Sequence, residues 1–339
     1  MKMISRMLLS AILSVMLVAG TVFAEDSWTD MLTLSGCVEF ELGYENVEPD
    51  GGDAEKSTDM ALATAELGVD AAVTDNLGGF ILFSYGDDED VVVDEATITI
   101  SGDSGLYLTV GKLYVPFGKF ETAMLSGPLT QDLGEARETA FVVGYEANGL
   151  YASFFGFNGD VDEVGEDSNV DNFGANVGYA MESDSMSLDA GVCYTNNLAD
   201  SDAWGDGLAE AGLMLKEYVS GFGGHVILSA AGFTLIGEYV GAMDDPEFTD
   251  GMIEFEGDAP SAWNAEIDYT AELSGMETTF GLAFQGSENG GDMLPETKML
   301  GVISAGIMDN TALTFEAAQA QFENDDETTT LTLQLALEF

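Results

Sequence analysis

Leu331, Leu333, Leu335, Leu337 and Phe339 alternate with Thr332, Gln334, Ala336 and Glu338. A period of two puts apolar side chains on one face of a strand and polar ones on the other. A segment greasy on one side, wet on the other and ending on an aromatic residue suits the last strand of a transmembrane barrel, with lipid outside and water within. Such a strand must pair with the first, because an open sheet edge leaves backbone groups unsatisfied in hydrocarbon. Leu32, Leu34, Val38, Phe40, Leu42 and Tyr44, alternating with Thr33, Ser35, Cys37, Glu39, Glu41 and Gly43, provide that first strand.

The same pattern recurs between these ends. An acidic, Gly-rich loop at 46–57 precedes Ala61, Ala63, Ala65, Leu67 and Val69, and a tight turn follows at Asp75 and Asn76. Long or acidic connections then fall near 86–90, 114–136, 158–170, 197–218, 243–260, 287–295 and 323–327. Tight ones fall near 103–105, 147–149, 181–185, 230–232, 273–276 and 308–310. Every second connection is short. This rhythm predicts an all-β fold, a transmembrane up-and-down antiparallel β-barrel of about sixteen strands with long outer loops and short periplasmic turns. A soluble sandwich imposes no such alternation of loop lengths. The pattern is ambiguous only over 208–229, where two registers compete and a short helix from Ala209 to Tyr218 is an alternative.

Lys2 and Arg6 precede an apolar run from Met7 to Val18, and Val22 and Ala24 stand where a signal peptidase reads small residues. Residues 1–24 are therefore expected to be a cleaved secretory signal. A retained membrane helix is the alternative, but the run is shorter than the ~20 residues a span needs. Residues 25–339 are left as a single barrel domain exported to the outer membrane of a Gram-negative cell, in contact with lipid and lipopolysaccharide.

All 62 acidic residues lie after residue 24, against six of the eight basic ones, so the mature charge is six minus 62, or −56. Nucleic-acid binding is excluded, because its dominant backbone contribution needs clustered Lys and Arg. Such acidity either keeps the chain solvated in a salty habitat or makes a cation-attracting surface and lumen. With the apolar sets facing lipid, Glu39, Glu41, Glu66, Asp70, Glu238, Asn264, Glu266, Asp268, Glu316 and Glu338 point inward, and the acids among them form an acidic lumen wall. Trp263, Tyr269, Tyr145 and Phe339 would belong to interface girdles.

Other chemistry-bearing residues are sparse. Cys37 and Cys193 fall on strands one and nine, opposite walls of a sixteen-stranded barrel, and are expected to be free thiols. His225 shares an inward face with Ser229, but without an orienting acid or oxyanion donors this pair reads as lumen wall, and no enzyme is expected. The acidic runs Asp87, Asp88, Glu89 and Asp90, and Asp160, Asp162, Glu163, Glu166 and Asp167, either bridge divalent ions or are solvated loops. They have no defined ligand spacing, so solvated loops are the default. No cofactor and no resident metal is implied, and homo-oligomerisation is left open.

One connection stands apart. Residues 111–137 carry Lys112, Lys119 and Arg137 among Tyr114, Pro116, Phe117, Phe120, Met124, Pro128 and Leu129, too apolar a composition for a loop in water. As the third outer loop it is long enough to fold into the lumen over 112–137 and narrow it. Its cations would then face the acidic wall and orient anionic or zwitterionic solutes. The alternative is a cap against lipopolysaccharide. Strict parity from Leu106, Leu108 and Val110 sends Lys112 toward lipid, so an inward Lys112 needs a bulge at Gly111, and that bulge is expected. Otherwise Lys112 snorkels at the rim.

Gly111-Lys112, Tyr114-Val115-Pro116-Phe117-Gly118, Phe120-Glu121-Thr122, Ser126, Pro128-Leu129-Thr130 and Leu133-Gly134-Glu135 together resemble the LbtU-type siderophore porins of Gram-negative bacteria. The resemblance covers about 30 residues. It implies a passive barrel that takes up ferric siderophore or similar small chelates. The inward reading of the loop makes Lys112, Tyr114, Lys119, Glu121 and Arg137 the candidate pore residues. A cation-preferring general diffusion porin and a structural or adhesive surface protein are the alternatives.

Overall fold

The computed structural model describes residues 31–86, 90–165, 168–291 and 293–339. The expected signal at 1–24, Asp87 to Glu89, and Glu166 and Asp167 lie outside the described residues. Sixteen strands close into an antiparallel barrel. In chain order they begin with β1 (Leu32–Glu48), β2 (Glu55–Thr74), β3 (Leu77–Tyr85), β4 (Val92–Ser101) and β5 (Leu106–Tyr114). Next come β6 (Arg137–Ala147), β7 (Leu150–Phe157), β8 (Asn172–Ser183) and β9 (Met186–Thr195). The second half has β11 (Gly221–Ala230), β12 (Phe233–Ala242), β15 (Ser261–Leu273), β16 (Met276–Glu288), β17 (Thr297–Met308), β18 (Thr311–Gln321) and β19 (Glu327–Glu338). Three short strands, β10 (Met214–Leu215), β13 (Glu247–Thr249) and β14 (Glu254–Glu256), make a separate sheet from two outer loops. Among the described residues no helix is long and apolar enough to cross a membrane.

Closure runs through the two segments whose alternation is clearest. β1 pairs with β19 from Cys37↔Glu338 to Glu48↔Glu327, and Gly36 and Phe339 exchange both backbone hydrogen bonds, at 2.9 and 3.0 Å. No barrel edge is left to meet hydrocarbon. Outward positions are exposed and apolar, among them Leu34, Val38, Ile98, Leu106, Val143, Ile267, Leu282 and Leu335. Phe233 stacks near Tyr269 with ring centroids 4.6 Å apart, and Trp263 meets Phe284 edge-on at 5.1 Å, as girdle aromatics of neighbouring strands do.

Several expectations need correction. Half of the stretch 46–57 is strand, since β1 runs to Glu48 and β2 starts at Glu55, and only the residues between them turn. The alternation through Ala61 and Ala63 breaks there: the β1–β2 register shifts between Leu62 and Thr64, so Ala63 is the inserted residue and Met60 and Leu62 take the outward parity. A helix, the alternative for 209–218, does form but lies earlier, at Asp202–Ala211. Gly212 ends it at φ +65, a left-handed conformation that glycine adopts without steric cost.

The expected bulge at Gly111 is absent. Ala96↔Lys112 and Thr97↔Gly111 continue the ladder on one side, and Gly111↔Ala140 and Lys112↔Thr139 on the other, with no inserted residue. Gly111 takes φ +139, and a Cβ there would collide with the Ala96 carbonyl. Glycine therefore permits a close backbone approach without flipping the register. Lys112 keeps the outward parity of Val110 and Leu108.

Candidate functional site

The connection from β5 to β6 does not extend into solvent. It turns into the barrel and lies on the inner wall of β12, β15, β16, β17 and β18. Phe117, Leu129 and Leu133 are 3, 1 and 0% exposed, packed with Leu113, Val115, Phe155, Val240 and Ala262. Met124 joins a second cluster with Ala283, Leu300, Val302 and Ala318. A short helix, Leu129–Gly134, carries two of these leucines against the wall. Each fully buried Leu or Phe contributes ~1.5–3 kcal/mol, so apolar contact alone holds this loop firmly.

A loop inside a barrel also brings unpaired backbone N–H groups, and wall acids satisfy them. Glu238 accepts hydrogen bonds from Lys119 N at 2.7 Å, Phe120 N at 3.1 Å and Thr130 Oγ1 at 2.8 Å. Glu266 accepts from Thr122 Oγ1 and Ala123 N, both at 2.7 Å. Glu316 accepts from Leu125 N at 2.6 Å, Ser126 N at 3.3 Å and Ser126 Oγ at 2.6 Å. Gln285 Oε1 accepts from Leu129 N at 3.3 Å. These carboxylates are 2 to 6% exposed. The expected acidic wall thus has two parts: Glu238, Glu266 and Glu316 clamp the loop, while Asp268, 5% exposed beside Glu266, is covered too.

The open lumen is bounded by the other wall. Inward Glu39, Glu41 and Glu66 are half-buried, Asp70 is exposed, and Glu95 of β4 joins them on the same parity. Glu41 accepts a hydrogen bond from Gln334 Nε2 at 2.9 Å across the closing seam. This group remains a source of negative potential in water.

The candidate pore residues separate. Lys119 and Glu121 are exposed on the free side of the loop. Lys119 Nζ pairs with Asp189 Oδ2 at 3.1 Å. Asp189 Oδ1 also accepts from the Tyr151 hydroxyl at 2.8 Å and lies 3.2 Å from His225 Nε2. These four side chains line a cavity of about 560 Å³ on the wall of β7 to β11. His225 therefore faces Asp189 and Tyr151, while Ser229 shares a 3.0 Å hydrogen bond with Thr234 instead.

Lys112, Tyr114 and Arg137 do not meet there, contrary to the pore role expected of them. Tyr114↔Arg137 and Lys112↔Thr139 are neighbouring pairs on the outward parity at the outer rim. Arg137 bonds Asp94 and lies over the Tyr114 ring at 5.9 Å, and Tyr114 donates to Asp94 at 3.4 Å. Asp94 is itself an inserted residue, since Leu82 pairs with Glu95 and Phe83 with Val93. Parity from Cys193 would have found Asp189, but neither parity nor composition marks Asp94.

Cys37 and Cys193 stand on β1 and β9, eight strands apart in either direction around the barrel, and both thiols are free. Cys193 Sγ accepts from Gly118 N at 3.2 Å, another tie to the loop. At the mouth, burial pushes the Asp200 carboxyl up to about 7, against two backbone N–H groups that hold it down. In the loop helix, burial likewise raises Asp132, with Lys298 opposing, and raises Glu135. The outer sheet is fastened by Lys216, whose Nζ reaches Glu247 at 2.7 Å and Glu254 at 3.0 Å.

Sixteen strands in a closed antiparallel ladder, with the third loop turned inward, make a porin-like barrel fold. Among solved structures, the chain is similar to the outer membrane channel DcaP of Acinetobacter baumannii, with TM-score 0.62, 16% identity and coverage of 91% of this chain and 97% of that one. An anion-selective porin from Comamonas acidovorans gives TM-score 0.60 at 14% identity, covering 91 and 99%. OmpF of Salmonella typhi gives 0.60 at 12%, covering 91 and 97%. By sequence, a UPF0422 protein of Coxiella burnetii is 28% identical over 61% of this chain and 47% of its own length. A UPF0422 protein of Legionella pneumophila strain Paris is 25% identical over 84 and 58%. The chain thus spans about half the length of these curated relatives. No family model matches.

Proposed function

We propose that this protein is a passive outer-membrane channel for small solutes with a preference for cations. The observation that carries the preference is the fate of the lumen charges. Lys119, the exposed cation of the inward loop, is tied to Asp189, whereas Glu39, Glu41, Glu66, Asp70 and Glu95 accept no hydrogen bond from the loop. A wet passage lined this way concentrates cations and repels anions. Planar-bilayer recording of the purified protein tests it: stepwise conductance with reversal potentials on the cation side is expected. Anion-side reversal would overturn the preference, and absence of conductance would leave a structural or adhesive surface protein.

Uptake of ferric siderophore is the second reading. It is supported by the resemblance of residues 111–135 to siderophore porins and by the cavity where Lys119, Tyr151 and His225 present hydrogen-bonding groups to the lumen. Adding a ferric siderophore to one chamber should then interrupt the current reversibly. Current indifferent to every chelate tried would favour general diffusion.

A further inference from the structure

We propose that the junction of residues 159–161, 197–200 and Asn172 at the start of β8 holds a divalent cation of the calcium type, bound by the Asp200 carboxylate and the side-chain amide of Asn172. Asp200 uses one oxygen within the fold: Oδ1 accepts from the backbone N–H of Asp160 and of Val161, each at 2.8 Å. Its Oδ2 has no partner, although the residue is only 4% exposed. Asn172 is 1% exposed, and neither its Oδ1 nor its Nδ2 has a partner. The two unpartnered groups converge, because a Cβ added at Gly159 would strike both Asp200 Oδ2 and, as the amide is placed, Asn172 Nδ2. Asn197, 2% exposed, belongs to the same knot: its Nδ2 donates to the Val161 carbonyl at 3.3 Å, and its Oδ1 is left without a partner.

An unsatisfied buried polar group costs ~1–3 kcal/mol, so three such residues at one junction call for a ligand. The character of that ligand follows from the donors. With the Asn172 amide oriented carbonyl-inward, which is an assignment of O and N rather than a movement of the chain, the junction presents carboxylate and amide oxygens. A water molecule would bridge the two oxygens but brings no charge to offset the carboxylate. The surroundings are negative, since Asp160, Asp162 and Glu138 lie within electrostatic range of Asp200. Among the described residues the ion pairs of Arg137 and Lys216 go to Asp94, Glu247 and Glu254, not here. Among the described residues no three His, Cys, Asp or Glu side chains converge as a metal cluster. An ion here therefore relies on one carboxylate with amide and water oxygens, a ligand set that suits a hard ion. One direct carboxylate and a loop setting place the affinity at ~10⁻⁴–10⁻³ M, the range of extracellular calcium modules.

The test is equilibrium dialysis of the full chain in detergent with radioactive calcium at about 1 mM, centred on the expected affinity. The acidic surface will bind further ions weakly, so the readout is the difference between proteins. Asp200→Asn keeps the oxygen that accepts the two backbone bonds and should bind one calcium fewer per chain. Asn172→Asp keeps the shape and adds a second carboxylate, and should bind that ion at least ten-fold more tightly. Equal stoichiometry in wild type and Asp200→Asn, or no tightening in a folded Asn172→Asp, overturns the proposal.

Discussion

Replacing Glu238 by Ala should loosen the inward loop without opening the barrel. The carboxylate is 6% exposed and accepts three hydrogen bonds from the loop, two from backbone N–H groups and one from Thr130. Bonds to a charged acceptor contribute ~1.5–3 kcal/mol each, and the lower figure applies where lumen water can replace the lost oxygen. Three bonds then give about 4.5 kcal/mol of docking free energy, a shift of ~10³ in the docked-to-undocked ratio of the segment around Lys119. Glu266 and Glu316 still hold residues 122–126, so the loop should loosen at its first half only. The barrel is unaffected, because residue 238 keeps its ladder positions opposite His225 and Asn264. Single-channel recording should show larger, noisier conductance, with Glu238→Gln intermediate because one oxygen acceptor survives. Heat-modifiable gel mobility should match wild type. Conductance and noise indistinguishable from wild type in Glu238→Ala would refute the idea that these carboxylates set the loop's position.

Lys119→Glu should strengthen cation selectivity with little change in stability, because a pair 39 and 21% exposed contributes only ~0.2–1 kcal/mol; unchanged reversal potentials would take Lys119 out of the ion path. Arg137→Ala should behave oppositely, leaving selectivity alone and destabilising the rim by ~1–3 kcal/mol as Asp94 loses its cationic partner and keeps only the Tyr114 hydroxyl, measured by thermal melting in detergent. A selectivity change as large as that of Lys119→Glu would contradict its outward placement. Cys37 and Cys193 should stay reduced in mass spectra of periplasm-matured protein, and a bridge between them would require a different strand count. Cysteines introduced at Asp50 and Asp250 should react with impermeant reagents on whole cells, and those at Asn148 and Asp184 should not; the reverse pattern would invert the barrel.

The barrel was legible because two solvents write the pattern. Lipid outside and water inside enforce alternation through Val38 to Leu42 and Leu331 to Phe339, and the difference between turns and loops gives the strand count. Alternation fails where a residue is inserted, at Ala63 and Asp94, because a bulge depends on the partner strand. The candidate site was less legible. Glu39 and Glu238 are both inward acids in alternating strands, yet one is solvated and the other binds the loop, a distinction made by residues more than a hundred positions away. Arg137 was misplaced for a related reason: its charge suggested water, while ladder parity and the inserted Asp94 give it a partner on the outer rim.

The clamp also orders events during assembly. The donors at residues 119–130 precede their acceptors by 108 to 191 positions. The loop therefore cannot settle until β12, β15 and β18 are in place. Contacts of such separation form late, after chain closure has been achieved. A nascent barrel passes through a stage with Glu238, Glu266 and Glu316 still hydrated, and the interior of this protein acquires its final width as the last step of maturation.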